Sequence, residues 1–245
     1  VRNLQTDFEK VTTVKPELSN IAGKEVRIII GSFDKSPLIR QLVKTGKLDG
    51  KELRGKNEKY IITTLHAPLE GLQGDVLLIA GSDKRGTIYG LYHISEKMGV
   101  SPWVYWGDAT PVAKDVVQIP EKELTVTSKE PSVKYRGIFL NDEAPSLTSY
   151  AKKKFGGYNQ YFYENVYELI LRCKGNYLWP AMWSNTFSED GKGTNKLANA
   201  ELADNYGIVM GTSHHEPLCR AGVEWQNKYR QYGTSNAWDF NTNET

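Results

Sequence analysis

Apolar positions in the first half of the chain fall into short continuous runs. "EVRIIIG" (25–31), "KYIITTL" (59–65) and "DVLLIAGS" (75–82) contain continuous runs of three to six apolar or β-branched residues and end at Gly or a polar residue, the pattern of buried strands. Between the first two, "SPLIRQLVKTGK" (36–47) predicts a helix, with Pro37 at its start and Gly46 at its end. In "GTIYGLYHISEKMGV" (86–100), Ile88, Leu91 and Tyr92 form an amphipathic stripe that Ser95 interrupts and Met98 resumes. This predicts a helix closed by Gly99, with His93 on its surface or packed against it. "DVVQIP" (115–120) and "EKELTVTS" (121–128) predict two further short strands.

From Pro131 the pattern repeats in architecture. Three times a buried strand runs into a polar or aromatic loop and then into a helix: "VKYRGIFLNDEAP" (133–145) before a helix over 158–174; "GNYLWPAMWSN" (175–185) before a weaker helix over 194–207; and "GIVMGTSHHEP" (207–217) before a helix over 218–233. Phe162, Val166, Leu169 and Ile170 share one face of the first of these helices. Such alternation predicts βαβ units, a parallel sheet and right-handed connections. The chain therefore divides into a mixed α/β region over 1–130 and a βα region over 131–245.

Composition changes this picture little. Lys and Arg number 31 against 29 for Asp and Glu, a net charge of +2, which gives no field suggesting nucleic acid or an anionic membrane as partner. No apolar run reaches the length of a membrane helix, and the first residues lack a secretion-signal pattern, although a chain beginning with Val leaves room for a removed leader. The two cysteines, Cys173 and Cys219, lie in different predicted elements and fit neither a disulfide scaffold nor a metal knuckle. Aromatic content is high, with 6 Trp and 14 Tyr, many near predicted strand ends, where they serve either packing or the binding of flat-faced ligands.

In parallel α/β folds functional groups collect where strands end. That rule brings "NDE" (141–143), "WPAMW" (179–183) and "SHHE" (213–216) to one rim. Strand alternation sets Asn141 and Glu143 on a face opposite Asp142, and His214 and Glu216 on a face opposite Ser213 and His215. Adjacent histidines chelate poorly, so no metal is expected. Candidate acid/base groups are Asp142, Glu143 and Glu216, since glycosidic cleavage needs two carboxyl groups; helix capping is the competing reading for Asp142 and Glu143. Candidate ligand contacts are Asn141, Trp179, Trp183, His214, His215 and Arg220, the last placed to meet an anion. One of the two histidines would face the ligand while the other braces the loop.

The blocks "YRGIFLNDEAPSLTSYAKKKFG", "NYLWPAMWSNTF" and "ADNYGIVMGTSHHEP" resemble glycoside hydrolase family 115, the xylan α-1,2-glucuronidases. "LLIAGSDKRGTIYGLYHISEKMGVSPWVYW" is similar to the small α/β domain that precedes the catalytic barrel in this and other glycosidase families. The resemblance implies an α/β fold of a small mixed domain followed by the first βα units of a (β/α)8 TIM-type barrel. It also implies removal of (4-O-methyl)glucuronic acid from glucuronoxylan with inversion and without cofactor or metal. A barrel takes about 250 residues, so the chain is expected to be an N-terminal fragment, inactive alone. The full-length protein is expected to be secreted or periplasmic, with a homodimer as a further expectation. A carbohydrate-binding protein without the chemistry, and a zinc-dependent hydrolase, are the alternatives.

Overall fold

A computed structural model describes residues 1–19, 26–212 and 221–243, which form two compact units. The first comprises Val1–Lys134 with Leu171–Lys174, the second Tyr135–Ile170 with Gly175–Thr245.

The first unit opens with helix α1 (Arg2–Thr12), followed by β1 (Ile28–Ser32), α2 (Pro37–Lys44), β2 (Tyr60–His66), β3 (Asp75–Gly81), α3 (Lys84–Met98), α4 (Glu121–Leu124) and β4 (Val126–Thr127). Its sheet runs β1-β3-β2-β4, with β1 parallel to β3 and the other pairs antiparallel. The apolar runs of β2 and β3 pair from Tyr60↔Gly81 to His66↔Asp75, and Leu78 and Ile79 are fully buried. Ser36 caps α2 by accepting the Ile39 N–H, and Asp83 caps α3 by accepting the Gly86 N–H at 2.7 Å. Gly99 closes α3 at φ 97°, and Ser95, which breaks the stripe, is buried with its hydroxyl donating to the Leu91 carbonyl.

Three expectations need correction here. No strand forms over 115–120, where Val116 is 68% exposed and has no β-partner. Residues 121–124 are helical, which leaves only Val126–Thr127 as strand. Helix α1, absent from the sequence reading, buries Leu4, Asp7 and Val11. Asp7 is tolerated inside because the Arg172 guanidinium donates to both its oxygens at 2.9 and 2.8 Å and also lies 4.5 Å from the centre of the Tyr92 ring.

The second unit contains β5 (Gly137–Phe139), α5 (Ser146–Phe155), α6 (Gln160–Arg172) except its last two residues, β6 (Tyr177–Trp179), α7 (Ala198–Tyr206), β7 (Val209–Met210) and α8 (Gly222–Lys228). The strands make one parallel sheet in chain order, β5-β6-β7, with Gly137 opposite Tyr177 and Leu178 opposite Met210. Leu178 on the central strand and Phe162, Tyr163, Val166 and Tyr167 along α6 are at most 2% exposed. Two glycines make the strand spacing possible. A Cβ on Gly137 would lie 1.8 Å from the Tyr177 carbonyl oxygen, and one on Gly211 would lie 1.8 Å from the Tyr177 hydroxyl.

Helix α5 was not predicted, and the last helix is shorter than 218–233, running over Gly222–Lys228 into a 3₁₀ turn at Tyr229–Gln231. Both sheets are open among the described residues, four strands in one and three in the other. The expected βα units are therefore present as an incomplete barrel-like arrangement, with no closed barrel among the described residues. No helix among the described residues is long and apolar enough to cross a membrane.

Candidate functional site

The rim lies beyond the C-terminal ends of β5 and β6. After Phe139 the chain leaves the sheet, yet alternation persists: Asn141 and Glu143 are exposed, and Asp142 between them is 3% exposed. The Asp142 side chain does not cap α5, which has no side-chain cap. Its Oδ2 instead accepts the Trp183 backbone N–H at 3.1 Å and the Asn185 side-chain amide at 2.9 Å. Its Oδ1 is buried and has no hydrogen-bond partner among the described residues. Burial pushes the carboxyl above its ordinary value, and the hydrogen bonds from Asn185 and from backbone N–H groups, Trp183 among them, only partly counter this. The Asp142 carbonyl accepts the Thr148 hydroxyl, which is also 3.1 Å from the Tyr158 hydroxyl, so the start of α5 is tied to the same loop.

After β6 the chain turns inward through Pro180, Ala181 and Met182, all buried, and then outward at Trp183, which is 49% exposed. Ser184 adopts a left-handed conformation, φ 57°, which reverses the chain so that Asn185 folds back toward Asp142. The Asn185 amide also donates to the Trp183 carbonyl at 2.7 Å. Trp179 is half-buried: its ring meets Phe139 edge-on at 5.8 Å, and its indole N–H donates to the Tyr177 hydroxyl at 2.8 Å. The two tryptophans of "WPAMW" thus have different surroundings, one packed along the strand and one open on the rim.

Beside this loop is a cleft of about 290 Å³, lined mostly by apolar groups including Pro180, Met182 and Phe187, Ala203 of α7, and Gly211 beyond β7. Neither Trp179 nor Trp183 lines it. His214, His215, Glu216 and Arg220 lie outside the described residues. Of the candidate residues, the structure therefore places Asn141, Asp142, Glu143, Trp179 and Trp183, and joins Asp142 to Trp183 directly. Sequence reasoning missed Asn185 and Ser184; a polar Ser-Asn pair following an aromatic loop was the available signal. Among the described residues no three His, Cys, Asp or Glu side chains stand together in a metal-ligating group.

Residues 128–245 match the family model described as Glycosyl hydrolase family 115, so part of a domain of this family is present in that stretch. Among solved structures, the chain is similar to one described as a family GH115 4-O-methyl-alpha-glucuronidase, BtGH115A, with specificity for decorated arabinogalactans. The two share 31% identity and a TM-score of 0.77 over 99% of this chain, which spans 30% of the length of that protein. No curated protein matches.

Proposed function

We propose that the chain forms the leading part of a glycoside hydrolase that removes α-1,2-linked (4-O-methyl)glucuronic acid side groups from xylan by an inverting acid/base mechanism. The observation that carries this reading is the rim itself: an exposed carboxylate, Glu143, and an exposed indole, Trp183, stand at neighbouring ends of parallel strands in a region matching a glycosidase family. An indole face stacks on the apolar face of a sugar ring. A carboxylic acid protonates the leaving oxygen while a second carboxylate draws a proton from water on the opposite face, with the two about 6.5–9.5 Å apart.

In this reading Glu143 and Glu216 are the carboxyl groups that act on the sugar, and Asp142 is buried beside Glu143. Asn141 and one of His214 and His215 hydrogen-bond sugar hydroxyls while the other histidine braces the loop, Arg220 meets the uronate carboxylate, and Trp179 and Trp183 contribute ring surface. Protons move between carboxyl groups and water, so the steps require no cofactor. A polymeric substrate that cannot cross a membrane suits a secreted or periplasmic enzyme. The chain by itself is proposed to be inactive, because the described residues supply three strand ends to the rim.

A second substrate is favoured by one observation, the preference for decorated arabinogalactans stated for the solved relative. The test is proton NMR of the full-length protein incubated with glucuronoxylan and, separately, with an arabinogalactan bearing α-linked glucuronate. Early appearance of the β-anomer of free uronic acid supports inverting hydrolysis and shows which polymer is used. Binding to either polymer without release would make this a carbohydrate-binding protein instead.

A further inference from the structure

Two partners of the Asp142 side chain lie on the loop after β6, and both use the same oxygen. Oδ2 accepts the Trp183 N–H and the Asn185 amide, while the second bond of that amide goes to the Trp183 carbonyl. Three hydrogen bonds thus tie three residues, and the left-handed Ser184 between Trp183 and Asn185 leaves the indole pointing outward. A proton donor must come within about 2.6–3.2 Å of the glycosidic oxygen. Asp142 is 3% exposed and its Oδ1 is shut inside the protein, whereas its neighbour Glu143 is exposed.

We infer that Asp142 is a positioning residue and not the proton donor: through Oδ2 and Asn185 it clamps the loop after β6 and so sets the Trp183 ring, and with it Glu143, on the rim. The inference rests on the proposed glycosidase reading. It has a chemical signature, because the clamp needs one oxygen that accepts two hydrogen bonds and needs no proton on that oxygen. The carbonyl oxygen of an asparagine can accept the same two bonds, whereas an asparagine cannot deliver a proton to a leaving group.

The test uses Asp142→Asn, Asp142→Ala and Asn185→Ala in the full-length protein, with steady-state kinetics on the polymer that releases uronic acid. Asp142→Asn is expected to keep kcat within about tenfold of wild type, because loss of a general acid costs about 10²–10⁴-fold. Asp142→Ala and Asn185→Ala are expected to raise KM about tenfold or more, by releasing the stacking ring, with kcat falling less. A kcat loss of 100-fold or more in Asp142→Asn at unchanged KM would overturn the inference, as would Asp142→Ala performing as well as Asp142→Asn.

Hydrogen exchange of the peptide spanning 181–187 supplies a readout independent of catalysis. Protection of the Trp183 amide should be lost in both alanine variants and kept in Asp142→Asn; unchanged protection in Asp142→Ala refutes the clamp. If wild-type protein releases no uronic acid from either polymer, the glycosidase reading fails by itself, and exchange alone decides whether the clamp exists.

Discussion

The buried pair of Arg172 and Asp7 allows a sharp test of what stabilises the first unit. Their side chains are 3% and 1% exposed, and Nη2 of Arg172 contacts both carboxylate oxygens. Removing one member of a buried pair strands the other as an uncompensated charge, at a cost of about 3–5 kcal/mol. In Asp7→Ala the guanidinium loses its buried carboxylate and stays charged at every accessible pH. It keeps its place over Tyr92, 4.5 Å from the ring centre, a contact worth about 0.5–2 kcal/mol. The expected loss is therefore near the lower end, about 3 kcal/mol. Arg172→Met loses the ion pair and the ring contact together and should approach about 5 kcal/mol. Replacing both, as Asp7→Leu with Arg172→Met, removes two desolvated charges at once and should return to within about 2 kcal/mol of wild type. Urea unfolding followed by far-ultraviolet circular dichroism reads this directly. With m of about 1–3 kcal/mol/M, the Asp7→Ala midpoint should fall by about 1 M or more. A loss below about 1 kcal/mol, the value of an exposed ion pair, would refute the reasoning, as would a double variant no better than the worse single one.

Gly137→Ala places a Cβ 1.8 Å from a backbone carbonyl that cannot move without parting β5 from β6, so it should cost at least about 3 kcal/mol, visible as a large fall in Tm. Gly211→Ala meets the Tyr177 hydroxyl at 1.8 Å and the Trp179 indole nitrogen at 2.7 Å, and so must break the hydrogen bond between them; adding Tyr177→Phe removes the first clash and not the second, so a loss of about 1–3 kcal/mol should be recovered only in part, and no recovery at all would refute the Tyr177 clash. Burial, and more weakly the charges of Lys174 and Lys97, hold the His93 imidazole below its usual value of 6.5 against the pull of its hydrogen bond to the Glu123 carbonyl. The folded state therefore favours the neutral ring, whose nitrogens lie 3.2 Å from the Glu123 carbonyl and 3.3 Å from the Tyr60 hydroxyl. Its contribution is present above the unfolded value of about 6.5 and is lost as pH falls through the lower folded value. Between pH 8 and 5 the wild-type Tm should fall relative to His93→Gln, and a constant difference would show that His93 does not titrate with folding.

The sequence made the strands of the first unit legible because β2 and β3 are continuous apolar runs whose partners are each other, and α3 because its stripe and Gly99 are local signals. Helix α1 escaped because its buried face reads Leu4, Asp7, Val11. A carboxylate in the middle of the stripe looks like a polar interruption until Arg172, 165 residues away, is brought against it. The run 115–120 misled for the opposite reason, since apolar residues with no strand to pair with do not form a strand. For α5 the cues were present, Pro145 before it, three lysines in its last turn and Gly156 after it, but less than half of the helix is apolar and it buries Ala151 alone.

On the rim, alternation along 141–143 was readable, and the pattern of exposure follows it even past the end of β5. What the alternation could not supply was the partner of the inward residue, because that partner is a backbone N–H and an amide 41 and 43 positions away on the next strand's loop. The two loops use one device. In each, outward residues that can meet a ligand, Asn141 and Glu143 in one and Trp183 in the other, are flanked by an inward polar residue, Asp142 or Asn185, and the inward residues bond across the loops to fix both. In the proposed reading the outward residues meet the ligand and the inward residues aim them, so an alanine scan of the rim should find Asp142 and Asn185 as sensitive as the outward positions. Only isosteric replacement separates them: it preserves a residue whose role is to accept hydrogen bonds and disables one that must release a proton.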